Sequence, residues 1–307
     1  MNILVTGITG YMGSLMVPRL SRDGHSVRGF ARSPDRVTAD VAVIGGDAIS
    51  GAGLDEALDG IDVAYYLIHS MEPTGPAASD PFASRERVAA ENFAAAAAAA
   101  GVTRIVYLGG LVPTGGPRSA HLASRMAVEE ILLCAIPDSV ALRASIVIGA
   151  RSRSFRFLVR LVERLPVLAI PAWRNHRTAP IDERDIVEML AAAADNDQVG
   201  GMTLDVGGPD VVSYGDLIDR IAELMLVDRP AVRFRRLTVT PIASRIAAVV
   251  AGERYELIGP LMQSLDSDLL PADDSAPRLL KVRLHRLNSA IEHALAEWER
   301  HEPLAAR

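Results

Sequence analysis

The sequence predicts an α/β fold, a doubly wound parallel sheet with helices on both faces, followed by a smaller C-terminal lobe. Three observations predict it. Residues 1–22 read as apolar run, glycine turn and helix. Ile3, Leu4 and Val5 suit a buried strand, Gly7, Gly10 and Gly13 stand three apart, and Leu15, Met16 and Leu20 recur at helical spacing. Short apolar segments then alternate with helical ones to about residue 150, the pattern of repeated strand–helix–strand units. After that the chain is less regular. Residues 1–150 are therefore read as the sheet-forming core, and 151–307 as a mixed segment that completes the core and builds the lobe.

Taken in order, the second strand is read at 26–31 (SVRGFA) and the third at 41–44, ending in Gly45-Gly46-Asp47-Ala48. A helix starts near Leu54. The fourth strand, 61–68 (IDVAYYLI), is apolar enough to be central, and it runs into His69-Ser70-Met71. Residues 72–81 carry three prolines and Gly75 and read as a surface loop or lid. An alanine-rich helix spans 82–100 and stops at Gly101. The fifth strand is 104–108, closed by Gly109-Gly110. A helix follows at about 119–134, and the sixth strand is 140–147. Later elements are an amphipathic helix at 154–165, a helix at 181–194 entered through Asp182, a strand at 202–206 and a Ser213-capped helix to about Met225. A strand at 232–239, a helix from Pro241 to about Ala251, a loop at 269–277 and a terminal helix at 288–299 complete the reading. The 241–251 helix carries an apolar face of Ile242, Ile246, Val249 and Val250, read as pocket packing ahead of membrane or partner contact.

Composition removes several function classes. The 307 residues are 49% hydrophobic and 23% charged, ordinary for a globular chain with a large core. A net charge of -6 offers no general attraction for nucleic acid. Cys134 is the only cysteine, so no internal disulfide forms, and its apolar helical setting reads as inert core. The first strand begins at once, leaving no visible signal peptide, and the longest apolar run, 93–100, is too short and too alanine-rich to span a bilayer. The expectation is a cytoplasmic protein without an integral membrane segment. No His/Cys/Asp/Glu set has metal spacing, and no Gly-x-Ser-x-Gly elbow or Ser-His-Asp set is evident.

The glycine turn carries the chemistry. Strand, GxxGxxG and helix in this order form a dinucleotide-site fingerprint: Gly7 for the tight turn, Gly10 for close backbone approach to a pyrophosphate, Gly13 for helix-on-strand packing. The helix N-terminus adds N–H groups and partial positive charge. Arg32 and Ser33 close the second strand, where such folds face the adenosine ribose. A carboxylate there favours NAD, whereas an arginine complements a 2′-phosphate and favours NADP. Asp47 either accepts from the adenine amino group or caps the helix near Leu54. The 174–177 basic patch reads as a solvated loop.

These motifs resemble the short-chain dehydrogenase/reductase superfamily in its extended or atypical branch, over about residues 1–225. The matching segments are TGITGYMG, GGDA, YYLIHSM, ENF, RIVYLGG, ALRASIVIGARS, PIDERDIVEML and LDVGGPDVVSYGDL. The branch's NmrA-like and complex-I-39-kDa-subunit-like NAD(P)H-binding groups look most similar. The resemblance implies a Rossmann fold with a substrate-capping lobe, and a cofactor site of Gly7, Thr9, Gly10, Tyr11, Met12, Arg32, Ser33, Asp47, Ala48, Leu67, His69, Gly109 and Arg125. It places Ser70, Gly110, Arg143 and Ser145 at the substrate pocket. It also implies a homodimer through the 82–100 and 119–134 helices, which the lobe could obstruct.

The superfamily's catalytic Tyr-x-x-x-Lys is absent. His121 and Arg125 stand at those two positions, Gly109 or Gly110 replaces the Ser/Thr, and the only lysine, Lys281, lies far away with Pro277 four residues before it. Two chemistries follow. In one, His121 is the proton donor, because an imidazole titrates near ~6.5, and Arg125, one turn on, holds the ribose. A cation beside His121 would depress that value, and His69 is a second acid. In the other, hydride goes to an electron-poor alkene, imine or quinone and water supplies the proton. The reading is an oxidoreductase preferring NADP(H) over NAD(H), acting on a small apolar acceptor (enone, imine, quinone or carbonyl). The alternatives are a non-catalytic NADP(H)-binding sensor or assembly protein, and a cofactor-dependent isomerase or epimerase.

Overall fold

The protein is described from a computed structural model, covering residues 1–68, 82–117, 119–164, 172–227, 267–302 and 304. Its strands are β1 (Asn2–Thr6), β2 (Ser26–Ala31), β3 (Ala42–Gly45), β4 (Val63–Tyr66), β5 (Arg104–Gly110), β6 (Val140–Ala144), β7 (Val147–Ile148), β8 (Arg177–Thr178), β9 (Ile181–Asp182), β10 (Thr203–Val206) and β11 (Val212–Ser213). Its helices are α1 (Tyr11–Arg22), α2 (Leu54–Leu58), α3 (Phe82–Ala99), α4 (Ala120–Ala135), α5 (Arg153–Arg164), α6 (Glu183–Ala192), α7 (Tyr214–Leu224), α8 (Ser275–Leu279) and α9 (Leu287–Glu299).

Seven strands form one parallel sheet in the order β10-β6-β5-β4-β1-β2-β3. The chain winds from β1 towards β3, then returns to β4 on the other side of β1. That reversal opens a crevice at the carboxyl ends of β1 and β4, where doubly wound sheets bind ligands. Alternation along the strands fills both faces. Ile3, Val5, Tyr65 and Leu142 pack with Met16, Val17 and Leu20 of α1 and Ile186, Met189 and Leu190 of α6. Leu4, Ala64, Tyr66 and Tyr107 face α2, α3 and α4, with Phe93 edge-on to Tyr66 at a 5.0 Å centroid distance. Alanines at 89, 90, 94 and 97 let α3 lie close to the sheet.

A third apolar cluster stands apart from the sheet. The inward stripe of α5 (Phe155, Leu158, Val159, Val162) meets Leu217, Ile218 and Ile221 of α7 and Ile291, Leu295 and Trp298 of α9. Arg156 and Arg160 stack on the Trp298 ring at 4.1 and 5.0 Å. Among the described residues no helix is long and apolar enough to cross a membrane.

The structure corrects four elements of the sequence reading. The sixth strand leaves the sheet after Ala144, and Val147–Ile148 pairs instead with Ile181–Asp182 in a separate two-stranded sheet. Buried Ser145 marks the exit: its hydroxyl bonds Thr178 Oγ1 at 3.0 Å and its N–H donates to the Val206 carbonyl. The helix expected from 181 starts at Glu183, because Asp182 is its N-cap, accepting from Arg184 N at 2.8 Å. The stretch read as loop at 269–277 contains the start of α8, opened by Asp273 accepting from Ser275 N at 2.8 Å. Cys134 is exposed. The inward face of α4 is Leu122, Arg125, Val128, Glu129 and Leu132, and position 134 falls on the opposite side. The expected 232–239 strand and 241–251 helix lie outside the described residues.

Candidate cofactor site

The crevice is built first from backbone. Gly7 ends β1 in the left-handed region, φ +64°, and a Cβ there would lie 2.6 Å from the Leu67 carbonyl oxygen. Gly10 N–H donates to Gly7 O at 2.8 Å, closing the turn. A Cβ on Gly13 would lie 2.3 Å from Gly7 O, so α1 crosses the turn only because that position is glycine. The buried Thr6 hydroxyl donates to Tyr65 O (2.9 Å) and accepts from Leu67 N (3.0 Å), locking the ends of β1 and β4 together. The N-cap of α1 is Gly10, with no side-chain cap, so the first N–H groups of α1 point into the crevice with their partial positive charge.

This turn floors a cleft of about 690 Å³. Gly7, Thr9, Gly10, Tyr11 and Met12 line it together with Arg32, Asp47, Ala48, Leu67, Gly109, Gly110, His121, Arg125 and Ser145, so the fold gathers most of the residues singled out from sequence. Asp47 Oδ1 accepts from Ile49 N at 2.9 Å within its own turn, while Gly53 holds the N-cap of α2 without a side-chain bond. The helix-capping alternative for Asp47 is thereby corrected: the turn brings Asp47 back on itself before α2 begins. Gly46 is required beside it, since a Cβ would press on Ala52 O at 2.2 Å and the Phe30 ring at 2.5 Å. His121, in the first turn of α4 behind the Ser119 N-cap, is half-buried on the cleft wall.

Three sequence expectations fare differently. Ser33 is exposed beside a short turn at Pro34–Arg36 and does not line the cleft. Arg143 was expected at the substrate pocket, yet its side chain pairs with Glu129 in a two-pronged contact of 2.9 and 2.8 Å, on a shallow groove beside α4. Strand alternation explains the correction: Ala144 faces the cleft and Arg143 the opposite side. His69 and Ser70 lie outside the described residues.

Arg125 has work that spacing did not reveal. Its guanidinium is buried, donates to the Ile68 carbonyl (3.3 Å) and the Leu108 carbonyl, lies 3.8 Å from Glu86 Oε1 and covers the Tyr107 ring at 4.8 Å. It clamps the carboxyl ends of β4 and β5, the two strands that border the cleft.

Sequence reasoning also missed residues from the second half of the chain. Arg151, Ser152, Arg153 and Ser154, at the entry to α5, line the cleft with Tyr214 and Leu269. Arg151 Nη1 donates to Ser14 Oγ at 3.0 Å, which sets a cation over the first turn of α1. The signal was present as the Arg-Ser-Arg-Ser run directly after the last core strand. Tyr11 donates its hydroxyl hydrogen to Glu183 Oε2 at 2.5 Å. Burial is the main cause that pushes the Glu183 carboxyl up, to about 7, and the neighbouring Glu297 adds to it, while the Tyr11 bond pulls it down. Burial and Glu183 also push the Tyr11 hydroxyl well above its ordinary range. Side-chain oxygen and nitrogen atoms of Glu183, His293 and Glu297 lie within 4.8 Å of one another, a grouping invisible in sequence because α6 and α9 supply it jointly.

Comparison with known proteins is consistent with this geometry. A family model described as NAD(P)H-binding matches residues 7–131. A 3 beta-hydroxysteroid dehydrogenase/Delta 5-->4-isomerase of Mycobacterium tuberculosis is 34% identical over 112 residues, 34% of this chain but only 30% of that protein. A ceramide reductase of Caulobacter vibrioides is 26% identical over 227 residues, 73% of this chain and 70% of the relative. Subunit 9 of the Arabidopsis thaliana mitochondrial NADH dehydrogenase [ubiquinone] 1 alpha subcomplex is 24% identical over 80% of this chain and 62% of its own. Among solved structures, a nucleoside-diphosphate-sugar epimerase from Staphylococcus aureus superposes with a TM-score of 0.76 at 17% identity, over 95% of this chain and 100% of that one.

Proposed function

We propose that this chain, which belongs to the atypical branch of the short-chain dehydrogenase/reductase superfamily, is an NADP(H)-dependent oxidoreductase that passes hydride to a small, mostly apolar acceptor. One observation carries the reading. A single cleft at the reversal of strand order joins the glycine turn, Arg32 and Asp47 at one end to His121, Ser145 and Tyr214 at the other. Such a cleft has room for a dinucleotide and for a reacting partner beside it.

The residues fit the group. A methyl at Gly7 would strike the Leu67 carbonyl and one at Gly13 the Gly7 carbonyl, so glycine at both positions keeps the turn tight and the uncapped start of α1 facing the cleft, as a pyrophosphate needs. Bound there, the nicotinamide would supply hydride. Gly7 and Gly10 shape the turn, Thr9, Tyr11 and Met12 would hold the phosphates by backbone N–H groups, and Arg151 brings positive charge to the same turn. Asp47 and Ala48 take the adenine end, while Leu67, Gly109 and Arg125 shape the other half. Gly110 and Ser145 border the acceptor, and His121 carries the proton for acceptors that need one. His121→Phe should then remove turnover of carbonyl acceptors by a factor of about 100 or more while NADPH still binds. Unchanged turnover would leave water as the proton source.

Arg32 carries the cofactor preference. It is exposed at the carboxyl end of β2, on the cleft rim. A charge-assisted bond to a 2′-phosphate contributes roughly 1.5–3 kcal/mol, so Arg32→Ala should raise the Kd for NADPH about 10- to 100-fold. The Kd for NADH should change less than about twofold on the same scale. Equal losses by titration calorimetry would contradict the assignment.

A second reading, a non-catalytic NADP(H)-binding protein with a sensing or assembly role, is favoured by a specific feature. At the position of the usual lysine, Arg125 commits its donors to strand carbonyls. The match to a subunit of a mitochondrial NADH dehydrogenase subcomplex points the same way. The matches to an isomerase and an epimerase by name keep an internal redox isomerisation as the third reading. Enones, imines, quinones and carbonyls offered in turn to the NADPH-loaded protein separate the first two: loss of NADPH absorbance with any acceptor supports the oxidoreductase, and none supports the sensor.

A further inference from the structure

The glycine turn is tied to a half-buried acid cluster that no part of the hydride chemistry uses. Tyr11 is the first residue of α1, so its N–H belongs to the phosphate-facing turn, while its side chain runs back to Glu183 in the first turn of α6. Gly149, in the turn after β7, makes that contact possible: a Cβ there would lie 2.0 Å from the Tyr11 hydroxyl and 2.1 Å from Glu183 Oε2. Four groups face Glu183. Tyr11 approaches from α1 at 2.5 Å, and His293 Nε2 from α9 lies 3.8 Å from Oε1. Glu297, one turn beyond His293, brings a carboxylate oxygen within 4.8 Å of the Glu183 carboxyl. Asp182, next in the chain, is taken up by Arg184. The Glu183 side chain is 7% exposed, and His293, at 40%, connects the cluster to solvent.

Resting on the cofactor reading above, we propose that Glu183 is a positioning residue for the phosphate-binding turn, acting through Tyr11, and that the Glu183–Glu297 pair takes up a proton when the dinucleotide binds. Two carboxyl groups in contact cannot both ionise at low cost, and an anionic pyrophosphate on the turn adds to the penalty. The proton goes from solvent to the Glu183–Glu297 pair, and no covalent bond changes. The sign follows from linkage. With the free carboxyl titrating at about 7, and the bound cofactor raising it further, affinity is full below that value and falls as pH rises through it.

NADH is the probe, because it lacks the 2′-phosphate, whose own ionisation near ~6 would confuse the profile. Its Kd for the full-length protein should rise about tenfold between about pH 6 and about pH 8.5, the effect of a shift of one pKa unit on binding. Glu183→Gln keeps an oxygen for the Tyr11 hydroxyl and cannot ionise. It should bind NADH at the higher pH as the wild type does at the lower one, with a flat profile. His293 remains in that variant, so a slope arising from the imidazole would survive. Tyr11→Phe keeps the ring and loses the tether, and should bind about fivefold or more weakly at the lower pH, within the range of one lost hydrogen bond. A wild-type slope in Glu183→Gln, or wild-type affinity in Tyr11→Phe, would overturn the proposal while leaving the cofactor reading intact. Absence of NADH and NADPH binding at every pH would overturn both.

Discussion

Gly13→Ala is expected to abolish dinucleotide binding, raising the Kd for NADPH by more than about 100-fold, and to lower stability by about 2–3 kcal/mol. The added methyl would sit 2.3 Å from Gly7 O and 2.8 Å from both Gly7 C and Ile8 Cα. All three are backbone atoms, so no flexible side chain can move aside. Relief requires α1 to tilt away from the end of β1. Met16, Val17 and Leu20, all buried on α1, then lose contact with Ile3 and Val5. The same tilt removes the N–H groups of residues 11–13 from the phosphate position, so one substitution strikes packing and binding together. Gly110→Ala is the control for melting temperature: its Cβ would meet only Leu122 Cδ2 at 3.6 Å, an ordinary contact. Fluorescence titration and thermal unfolding of both variants check the expectation.

Arg125→Met is expected to cost about 3–5 kcal/mol, the range for breaking a buried ion pair by removing one partner. Glu86 is 3% exposed, and the guanidinium beside it lies 3.8 Å from one of its oxygens, with Ser124 donating to the other oxygen at 3.0 Å. The carbonyls of Ile68 and Leu108 lose a donor in the same step. For a chain of this size the melting temperature should fall by roughly 5–8 °C. Arg125→Lys restores the residue type found in the superfamily's catalytic pair. Here it should recover only part of the stability, because an ammonium cannot reach both carbonyls and the Tyr107 face as a planar fork does. Full recovery by lysine would show that charge alone matters and that the strand clamp does not.

The sequence carried the sheet and the cofactor end of the cleft because both rest on local signals. Apolar runs such as ILV and VAYY, and glycines at fixed spacing, impose their conformation within a few residues. What escaped was made by contacts across long sequence separations. Arg143 was placed by its position on the sixth strand, but its turn away from the cleft to Glu129 needed α4 in place beside that strand. Cys134 lay in an apolar run, yet the helix phase turned it outward. The Tyr11–Glu183 contact spans 172 positions, and no window of the chain contains it. Arg125 was found at the lysine position of the superfamily's signature, but its bonds to Ile68 and Leu108 needed the strands in place. The glycine turn thus shows where a dinucleotide would lie, whereas its use depends on residues that only the fold assembles.

The most direct measurement is a titration of the purified chain with NADPH, following the nicotinamide fluorescence, with an enone, an imine and a quinone then added in turn. The account predicts saturation at one cofactor per chain and a fall in fluorescence with at least one acceptor. No saturable binding would contradict the assignment of the cleft.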